Sequence, residues 1–305
     1  MIDRQQRIVQ NLTLRAKILR LIRDFFTEQG VLEVDTPIRI PAPAPEPYIS
    51  PQPAGSWYLQ TSPELCMKRL LAAGFPKIFQ ICKCFRKEER GNRHLQEFTM
   101  LEWYEAGATY RDLMDRCEAM VDFIRLAPGL PESIHYKGQT INLSAPWERL
   151  TVTDAFSRYA SISMDTAIQT GVFDETIAFD IEPNLGTSRP VFLYDYPAST
   201  CMLAAPKPGA PHLIERFELY IGALELCNGF TELTDPVAQR KHFETELENR
   251  KQKNLAALPM PEKFLDDLHL MPPAAGNALG IDRLMMLFAG SERIDEVVAF
   301  TPEEL

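Results

Sequence analysis

The segment FRKEERGNRHLQEFTMLEWY, Phe85–Tyr104, decides the fold, because two strand-like halves flank a polar turn. Residues 77–88 and 97–105 predict the strands of a long hairpin, with Gly91 and Asn92 in its turn. Because strand side chains alternate between faces, Arg86 and Glu88 are expected to share one face. On the returning strand, one face carries Phe98, Met100, Glu102 and Tyr104.

Glu102 interrupts an otherwise apolar and aromatic face of this hairpin. Burying a carboxylate is costly unless a cation meets it, so a cationic ligand is one interpretation of this position. The alternative is a surface hairpin whose charged residues are merely solvated. The hairpin alone leaves both interpretations open.

The first part of the chain has clear helix and strand boundaries. Apolar residues at helical spacing predict a helix over residues 13–29, capped by Thr13 and stopped at Gly30. A short strand over residues 31–37 follows, closed by Pro37. Residues 41–55 are proline-rich and predict an extended surface loop, either a connector or a docking segment. A helix is expected over residues 63–71.

The second part of the chain alternates strands and helices without a regular βαβ pattern. The patterning predicts helices at 111–124, 153–159, 236–256 and 282–288, strands at 190–196 and 215–226, and a glycine-bearing strand before the last helix. The interval 125–190 shows no chemical motif. The expected fold class is α+β, with an antiparallel sheet flanked by helices in a single domain over residues 1–305.

Composition limits the class of protein. The 305 residues carry a net charge of −10 and a pI near 5.1, which does not favour nucleic-acid phosphates as a default partner. The six cysteines show no dense spacing, and the N-terminal segment is polar, so a reducing cytoplasm is expected. No apolar run reaches eighteen residues, so we expect a soluble protein with no membrane partner.

Two carboxylates, Glu225 and Glu232, lie seven residues apart around the turn-like pair Asn228-Gly229. Such an oxygen-rich arrangement suits Mg²⁺ held beside a polyphosphate, because Mg²⁺ needs few protein ligands there. The alternative is a pair of exposed solubilising charges. Other motifs must decide between the two.

The segment GNALGIDRL, residues 276–284, joins small residues to an arginine at a strand-to-helix junction. Backbone can approach a ligand closely there, and Arg283 can contact a phosphate or an aromatic base. Neither a dinucleotide fingerprint nor a P-loop is present. Cys82 and Cys84 are interpreted as buried thiols rather than metal ligands. His94 is a candidate contact only.

Together, the strand ending in Pro37, the hairpin and GNALGIDRL resemble the three signature motifs of class II aminoacyl-tRNA synthetases in their lysyl form. Lysyl-tRNA synthetases carry an N-terminal OB domain that reads the anticodon, and none is expected here. The chain is therefore similar to the elongation factor P lysine ligase family, which lacks that domain. WYEAG after the hairpin, the YPAS at 196–199 and Ala278, where lysyl-tRNA synthetases have glycine, also resemble this family.

The resemblance implies roles for individual residues. Arg86 would contact the α-phosphate, Phe98 and Arg283 would sandwich adenine, and the catalytic set is Arg86, Glu225, Glu232 and Arg283. ATP contacts are expected from Arg86, Glu88, Phe98, Glu225, Leu226, Gly280 and Arg283. The amino-acid substrate would lie against Ser62, Pro63, Glu64, Glu102, Tyr104, Glu232 and Ala278. Mg²⁺ would be held by Glu225 and Glu232.

The implied activity is ATP-dependent formation of a lysyl or β-lysyl adenylate and its transfer to a lysine ε-amine of elongation factor P. The family's Asn-Pro appears here as Leu95-Gln96, and Leu95 cannot supply the asparagine's polar contact to ATP. Two alternatives remain: an enzyme that charges tRNA, which the acidic composition disfavours, and an inactive synthetase-like regulator. The resemblance also implies a homodimer.

Overall fold

The computed structural model describes residues 2–47 and 49–305. The α-helices are α1 (Ile2–Arg7), α2 (Val9–Glu28), α3 (Glu64–Ala72), α4 (Tyr110–Arg125), α5 (Val152–Tyr159), α6 (Met164–Thr170), α7 (Phe173–Thr176), α8 (Pro236–Gln252), α9 (Glu262–Asp267) and α10 (Ile281–Ala289). The strands are β1 (Leu32–Glu33), β2 (Arg39–Ile40), β3 (Pro53–Ala54), β4 (Trp57–Leu59), β5 (Lys77–Phe85), β6 (Glu97–Ala106), β7 (Ser133–Tyr136), β8 (Gln139–Asn142), β9 (Glu148–Thr151), β10 (Val191–Pro197), β11 (Pro206–Lys207), β12 (Ala210–Tyr220), β13 (Glu225–Thr231) and β14 (Ala274–Gly280).

A nine-stranded sheet forms the centre of the fold, in the order β1-β5-β6-β14-β13-β12-β10-β9 with β11 added to β12. The pairings are antiparallel except for β1 with β5 and β9 with β10. The strands do not follow a βαβ repeat, and helices pack on the sheet. The expected α+β class and the predominantly antiparallel sheet are therefore confirmed.

The two faces of the sheet contact two separate apolar cores. Successive residues of β6 point to opposite faces, so Trp103 belongs to the core under α2, α4 and α10, while Tyr104 belongs to the core that includes Leu71 of α3. Trp103 is fully buried, and Tyr104 is 3% exposed. This alternation gives β6 one face for packing on helices and one face available for chemistry.

The first predicted helix begins earlier than expected. Helix α2 starts at Val9, and the Thr13 hydroxyl donates to the Val9 carbonyl at 2.8 Å, so Thr13 lies inside the helix and is not its cap. Helix α1 runs almost directly into α2, because the Ile8 amide donates to the Arg4 carbonyl at 3.1 Å. The strand expected over residues 31–37 is limited to Leu32–Glu33, since the chain leaves the sheet before Pro37.

The single strand expected over residues 215–226 is in fact the end of β12, a turn, and the start of β13. The turn residues Gly222 and Ala223 have φ angles of 63° and 56°, as a tight two-residue hairpin loop requires. Asn228-Gly229, taken from sequence as the turn, lies within β13 and pairs with β14. Long-range pairing has overridden the local turn preference there.

The remaining boundaries differ by smaller amounts. Strand β5 ends at Phe85, so residues 86–88 belong to the turn, and α8 ends at Gln252. The proline-rich segment 41–55 is a loop except for the short strand β3 at its end. The helix expected at 153–159 is α5. In the described residues, no helix combines the length and apolar character that crossing a membrane requires.

Candidate active site

A cleft of about 250 Å³ opens on the sheet face formed by β6, β13 and β14. The β6 residues predicted to share one face all line it, namely Phe98, Met100, Glu102 and Tyr104. Opposite them on β14, Gly280, Ala278 and Gly276 pair in register with Met100, Glu102 and Tyr104. The central sheet thus provides a rigid floor for a ligand.

Gly276 allows the floor to pack closely around the cleft. A Cβ atom at this position would lie 2.1 Å from Cε1 of Tyr104 and 2.5 Å from Oε1 of Glu232. Both distances are far below van der Waals contact, so a larger residue would displace one of these two groups. The small residues of GNALGIDRL therefore bring two polar side chains together at one end of the cleft.

Three carboxylates and one ammonium group are clustered at that end of the cleft, where Glu64 and Glu102 line the wall and Lys68 and Glu232 are buried and do not line it. We call this set, Glu64, Glu102, Glu232 and Lys68, the carboxylate cluster. The Lys68 Nζ atom lies 2.5 Å from Glu64 Oε1 and 2.5 Å from Glu232 Oε2. Glu102 accepts hydrogen bonds from the Ser62 hydroxyl at 2.5 Å and the Tyr104 hydroxyl at 3.2 Å. Fully ionised, the cluster carries an excess of negative charge.

Burial shifts the protonation of this cluster. Burial, reinforced by the charge of Glu64, raises the pKa of Glu102 to about 8. Burial also raises the pKa of Glu232 to about 8, although Lys68 opposes the shift. Burial lowers the pKa of Lys68, but the charges of Glu232 and Glu64 outweigh it and raise the pKa above its usual value. A cationic ligand would stabilise the ionised carboxylates.

Arg86 and Phe98 lie together at the middle of the cleft. The Arg86 guanidinium carbon is 5.1 Å from the centre of the Phe98 ring, and its Nη1 atom is 3.5 Å from Glu89 Oε1. Glu88, expected to contact ATP from the same strand face as Arg86, is instead exposed in the turn after β5 and does not line the cleft. The strand ends before Glu88, so its side chain does not follow the alternation, and Glu89 lines the cleft in its place.

Arg283 is held at the other end of the cleft. Its Nη1 atom donates to the Glu225 carbonyl at 2.7 Å and lies 3.3 Å from a Glu225 carboxylate oxygen. Its Nη2 atom is 2.6 Å from Nε2 of His94. Partial burial and the nearby Arg283 charge lower the pKa of His94, so the imidazole is uncharged at neutral pH. His94 therefore lines the cleft, as a contact rather than as a second cation.

The neighbouring residue Asp282 fixes the helix that carries Arg283. One carboxylate oxygen of Asp282 accepts from the Thr99 amide at 2.7 Å, and the other lies 2.6 Å from Nη1 of Arg15. Asp282 is 2% exposed. Helix α10 is thereby tied to β6 and to α2, which positions Arg283 at the rim of the cleft.

The expected shared Mg²⁺ site at Glu225 and Glu232 does not fit the geometry. Glu225 is the first residue of β13, and Glu232 follows its last residue. Seven extended residues span about 23 Å at about 3.3 Å each, which is more than one ion can bridge with two glutamate side chains. Glu232 instead pairs with Lys68. The described residues contain no group of three or more His, Cys, Asp and Glu side chains placed to hold a metal.

Glu218 is a second carboxylate on the strand next to Glu225, and Arg216 already pairs with it. It lies on the adjacent strand β12, opposite Asn228, and accepts hydrogen bonds from the Tyr196 and Tyr220 hydroxyls at 2.6 and 2.7 Å. Burial raises the pKa of Glu218, with the charge of Glu225 acting in the same direction. Two carboxylates on neighbouring strands are the kind of oxygen donors that Mg²⁺ uses beside a polyphosphate.

Of the other predicted site residues named below, all but Pro63 line the cleft. Ser62, Leu226, Ala278 and Gly280 line it. Pro63 does not, and precedes helix α3, whose first residue is Glu64. Leu95 lines the cleft but is 4% exposed and apolar, so it offers no polar contact.

Cys82 and Cys84 share one strand face, as predicted. Their sulfur atoms are 3.9 Å apart, and both thiols are free. Cys84 is buried, whereas Cys82 is only half-buried. Neither belongs to a group placed to hold a metal within the described part of the chain.

Sequence reasoning missed Lys68, Glu218 and Glu46. Lys68 lies four residues after Glu64 in α3, a spacing that more often indicates a solvated helix pair. Glu218 could have been found from the alternation of Arg216, Glu218 and Tyr220, which places three polar groups on one strand face. Glu46 lines the cleft from the proline-rich loop, where no local pattern marks it.

Comparisons with known proteins identify the family of this chain. The family model described as tRNA synthetases class II (D, K and N) matches residues 1–304. An elongation factor P–(R)-β-lysine ligase of Edwardsiella ictaluri is 39% identical over 96% of this chain and 95% of its own. One from Vibrio cholerae is 37% identical over 96% and 95%. A lysine–tRNA ligase of Moorella thermoacetica is 36% identical over 94% of this chain but 64% of its own. This chain belongs to the class II tRNA synthetase family (D, K and N).

Proposed function

We propose that this protein activates lysine or β-lysine with ATP and transfers the resulting aminoacyl group to a lysine ε-amine of elongation factor P. The carboxylate cluster is the observation that carries the proposal. Three buried or nearly buried carboxylates have only Lys68 as an ammonium partner in the cluster, so the site favours a ligand that brings positive charge. An amino acid with two ammonium groups matches this excess.

Activation would use the other two parts of the cleft. ATP would lie along the floor, with its adenine between Phe98 and Arg283 and its α-phosphate at Arg86. The amino-acid carboxylate would attack the α-phosphate in line, and Arg86 would stabilise the charge that develops on the phosphate oxygens. The products are an aminoacyl adenylate and pyrophosphate.

Mg²⁺ would be held by Glu225, with Glu218 of the neighbouring strand β12 as a second carboxylate. When bound, the ion would neutralise phosphate charge during displacement. Its site would be completed by phosphate oxygens and water, as is usual for Mg²⁺. Glu232 would instead act on the amino acid.

Transfer would need no covalent enzyme intermediate, because an amine can attack the adenylate carbonyl directly. The choice of acceptor is supported by relatives named elongation factor P–(R)-β-lysine ligase, which match this chain along almost all of both sequences. The names of these relatives also favour β-lysine over α-lysine as the activated amino acid.

A second candidate is charging of tRNA. It is favoured by the lysine–tRNA ligase of Moorella thermoacetica, which is 36% identical over 94% of this chain. The net charge of −10 disfavours it, because binding of tRNA relies on attraction to phosphates. An inactive regulator is less well supported, since Arg86, Glu225 and Arg283 all line one cleft.

We also propose a homodimer that works in the cytoplasm, with residues 1–305 forming a single catalytic domain. The edge strand β1 and the segment after it expose Leu32 and Ile38, at 50% and 43%. Two apolar side chains beside an uncovered sheet edge suit an interface with a second copy. Light scattering after gel filtration would measure the mass directly.

The acceptor can be tested with radiolabelled lysine and β-lysine in the presence of ATP and Mg²⁺. Purified elongation factor P and total tRNA are supplied in separate reactions. Label on elongation factor P alone would support the proposal. Label on tRNA alone would establish the second candidate, and an enzyme that forms no adenylate with either amino acid would be a regulator.

A further inference from the structure

Glu46 lines the cleft from the proline-rich loop, and neither activation nor the proposed binding roles use it. The loop is fixed from two sides. Arg250, which is 2% exposed, donates from Nη1 to the carbonyls of Glu46 and Ile49 at 2.8 and 3.2 Å. The Lys87 amide donates to the Ser50 carbonyl at 2.9 Å. The backbone that carries the half-buried Glu46 carboxylate is therefore held at a defined place on the wall.

The position of Glu46 is defined by the groups around it. The charges that act on its carboxyl group are those of Arg86, Glu64, Glu89 and Lys68. In the proposed adenylate, Arg86 meets the α-phosphate, and Glu64 is one of the carboxylates that would meet the amino-acid part. The carbonyl carbon joins these two parts of the molecule. Glu46, Arg86 and Glu64 line the same cleft, so the Glu46 carboxylate borders the space in which this carbon would stand.

The transfer step requires a proton acceptor at this place. A lysine ε-amine has a pKa of about 10.4 in solution, so at neutral pH the incoming group is an ammonium without a free electron pair. Arg86, Arg283 and Phe98 cannot take its proton. Glu89 and His94 also line the cleft, but Glu89 pairs with Arg86 and His94 contacts Arg283. A carboxylate at the wall of the cleft can both attract the ammonium group and deprotonate it.

We propose that Glu46 is the general base of the transfer step, an inference that rests on the proposed function. The acceptor ammonium gives one proton to the Glu46 carboxylate. The freed amine nitrogen bonds to the adenylate carbonyl carbon, and the bond from that carbon to the phosphate oxygen breaks. AMP leaves with the electron pair, the second proton of the nitrogen passes to the phosphate or to water, and Glu46 returns its proton to solvent.

The ionisation of Glu46 suits this role. Burial raises its pKa to about 7, with Arg86 opposing the shift and Glu64 and Glu89 adding to it. Lys68 also opposes the shift. A base whose pKa lies near the working pH is ionised often enough to act and basic enough to accept a proton. Glu46 is thus the active base above pH of about 7.

Glu46→Gln tests the inference when the two steps are measured separately. Enzyme-bound adenylate is isolated and mixed rapidly with elongation factor P. We expect ATP–pyrophosphate exchange to be unchanged and transfer to slow about 10²–10⁴-fold, the usual contribution of a general base. Wild-type transfer should rise to a plateau above pH of about 7, whereas Glu46→Gln transfer should keep rising through pH 9 as the free amine becomes available.

Two controls separate a base from a positioning group. Hydroxylamine is already uncharged at neutral pH, so Glu46→Gln should form the hydroxamate at the wild-type rate. Glu46→Asp should recover part of the transfer activity, and Gln52→Ala, which changes an exposed side chain of the same loop, should behave as wild type.

Three outcomes would overturn the role of Glu46. The first is transfer by Glu46→Gln at the wild-type rate and with the same plateau in its pH profile. The second is loss of ATP–pyrophosphate exchange together with transfer in this variant. The third is a slowing of hydroxamate formation by this variant that equals the slowing of transfer to elongation factor P. A wild-type enzyme that forms no adenylate, or that labels only tRNA, would instead remove the proposed function itself.

Discussion

The Lys68 ammonium group lies 2.5 Å from Oε2 of Glu232, and this contact joins helix α3 to the end of strand β13. Both side chains are almost completely buried. The same ammonium group also meets Glu64 at 2.5 Å. The chain therefore supplies one cation of its own to a group of three carboxylates, and a cationic ligand would balance the negative charge that appears when all three ionise.

Lys68→Met should destabilise the protein in a pH-dependent way. Removing one partner of a buried ion pair costs about 3–5 kcal/mol while the remaining carboxylates stay ionised. The folded-state pKa of Glu232 is about 8 even with Lys68 present and would rise further without it. The loss in unfolding free energy should therefore be large at pH 9 and smaller at pH 5, where folded Glu232 is protonated.

Urea denaturation at the two pH values measures this loss. The matched control is Lys263→Met on helix α9, an exposed position that should change stability little at either pH. An equal loss for Lys68→Met at pH 5 and pH 9 would contradict the assigned pairing.

Glu102→Gln should stabilise the protein above neutral pH while abolishing amino-acid activation. The pKa of Glu102 is about 8 in the folded state, above the usual 4.5, so folding takes up a proton between these values. Stability is therefore lost as pH rises through this window. A neutral glutamine avoids that loss and should add about 1–3 kcal/mol at pH 9.

Denaturation curves from pH 5 to pH 9, with exchange assays on the same variant, measure both effects. If Glu102→Gln were less stable than wild type at pH 9, ionisation of Glu102 in the folded protein would cost little free energy, which would contradict the prediction. Full activity with lysine would show that Glu102 does not meet the substrate.

The face of β6 could be predicted from sequence because strand alternation is a local property. Phe98, Met100, Glu102 and Tyr104 follow from a period of two, and all four line the cleft. The partner of Glu232 could not be predicted in the same way, because Lys68 lies far away in sequence and the contact depends on how α3 packs. The sequence pattern therefore predicts which residues of β6 line the cleft, but it does not predict the ion pairs of this region.

The turn predicted from sequence at Asn228-Gly229 is wrong. The dipeptide is a strong local turn signal, yet it pairs with Ala278 and Asn277 of β14. A Cβ on Gly229 would lie 2.6 Å from the Phe217 ring, so the glycine serves close packing and not a turn. The incorrect turn also led to the shared metal site at Glu225 and Glu232. Sequence pattern cannot separate these uses of glycine without the neighbouring strands.

Gly276→Ala should impair amino-acid binding more than ATP binding. The new methyl group would lie 2.1 Å from the Tyr104 ring, and overpacking of this kind costs about 1–3 kcal/mol. We expect a higher KM for lysine, an almost unchanged KM for ATP, and a lower melting temperature. Gly91→Ala is the stability control, since no atom lies within 4 Å of its added carbon. Equal effects of the two variants on melting would contradict the close packing at Gly276.

Glu225→Gln and Glu232→Gln should have different effects, although both remove one carboxylate. Glu225 lies beside Arg283 and is the proposed Mg²⁺ ligand. Its variant should therefore need a higher Mg²⁺ concentration for half-maximal exchange. Glu232 lies beside Lys68, so its variant should raise the KM for lysine and leave the Mg²⁺ requirement unchanged. Titrations of Mg²⁺ and of lysine on both variants give the answer. A higher Mg²⁺ requirement in both variants would instead support one metal site shared by Glu225 and Glu232.

The most direct test compares exchange of pyrophosphate into ATP with lysine, β-lysine and norleucine, which has the lysine chain without its ε-ammonium group. A site built around buried polar groups rejects an analogue that leaves them unpaired by about 10⁴–10⁵-fold. We predict exchange with lysine or β-lysine and a deficit of that order in kcat/KM for norleucine. Comparable exchange with norleucine would contradict the claim that the carboxylate cluster selects a substrate with two ammonium groups.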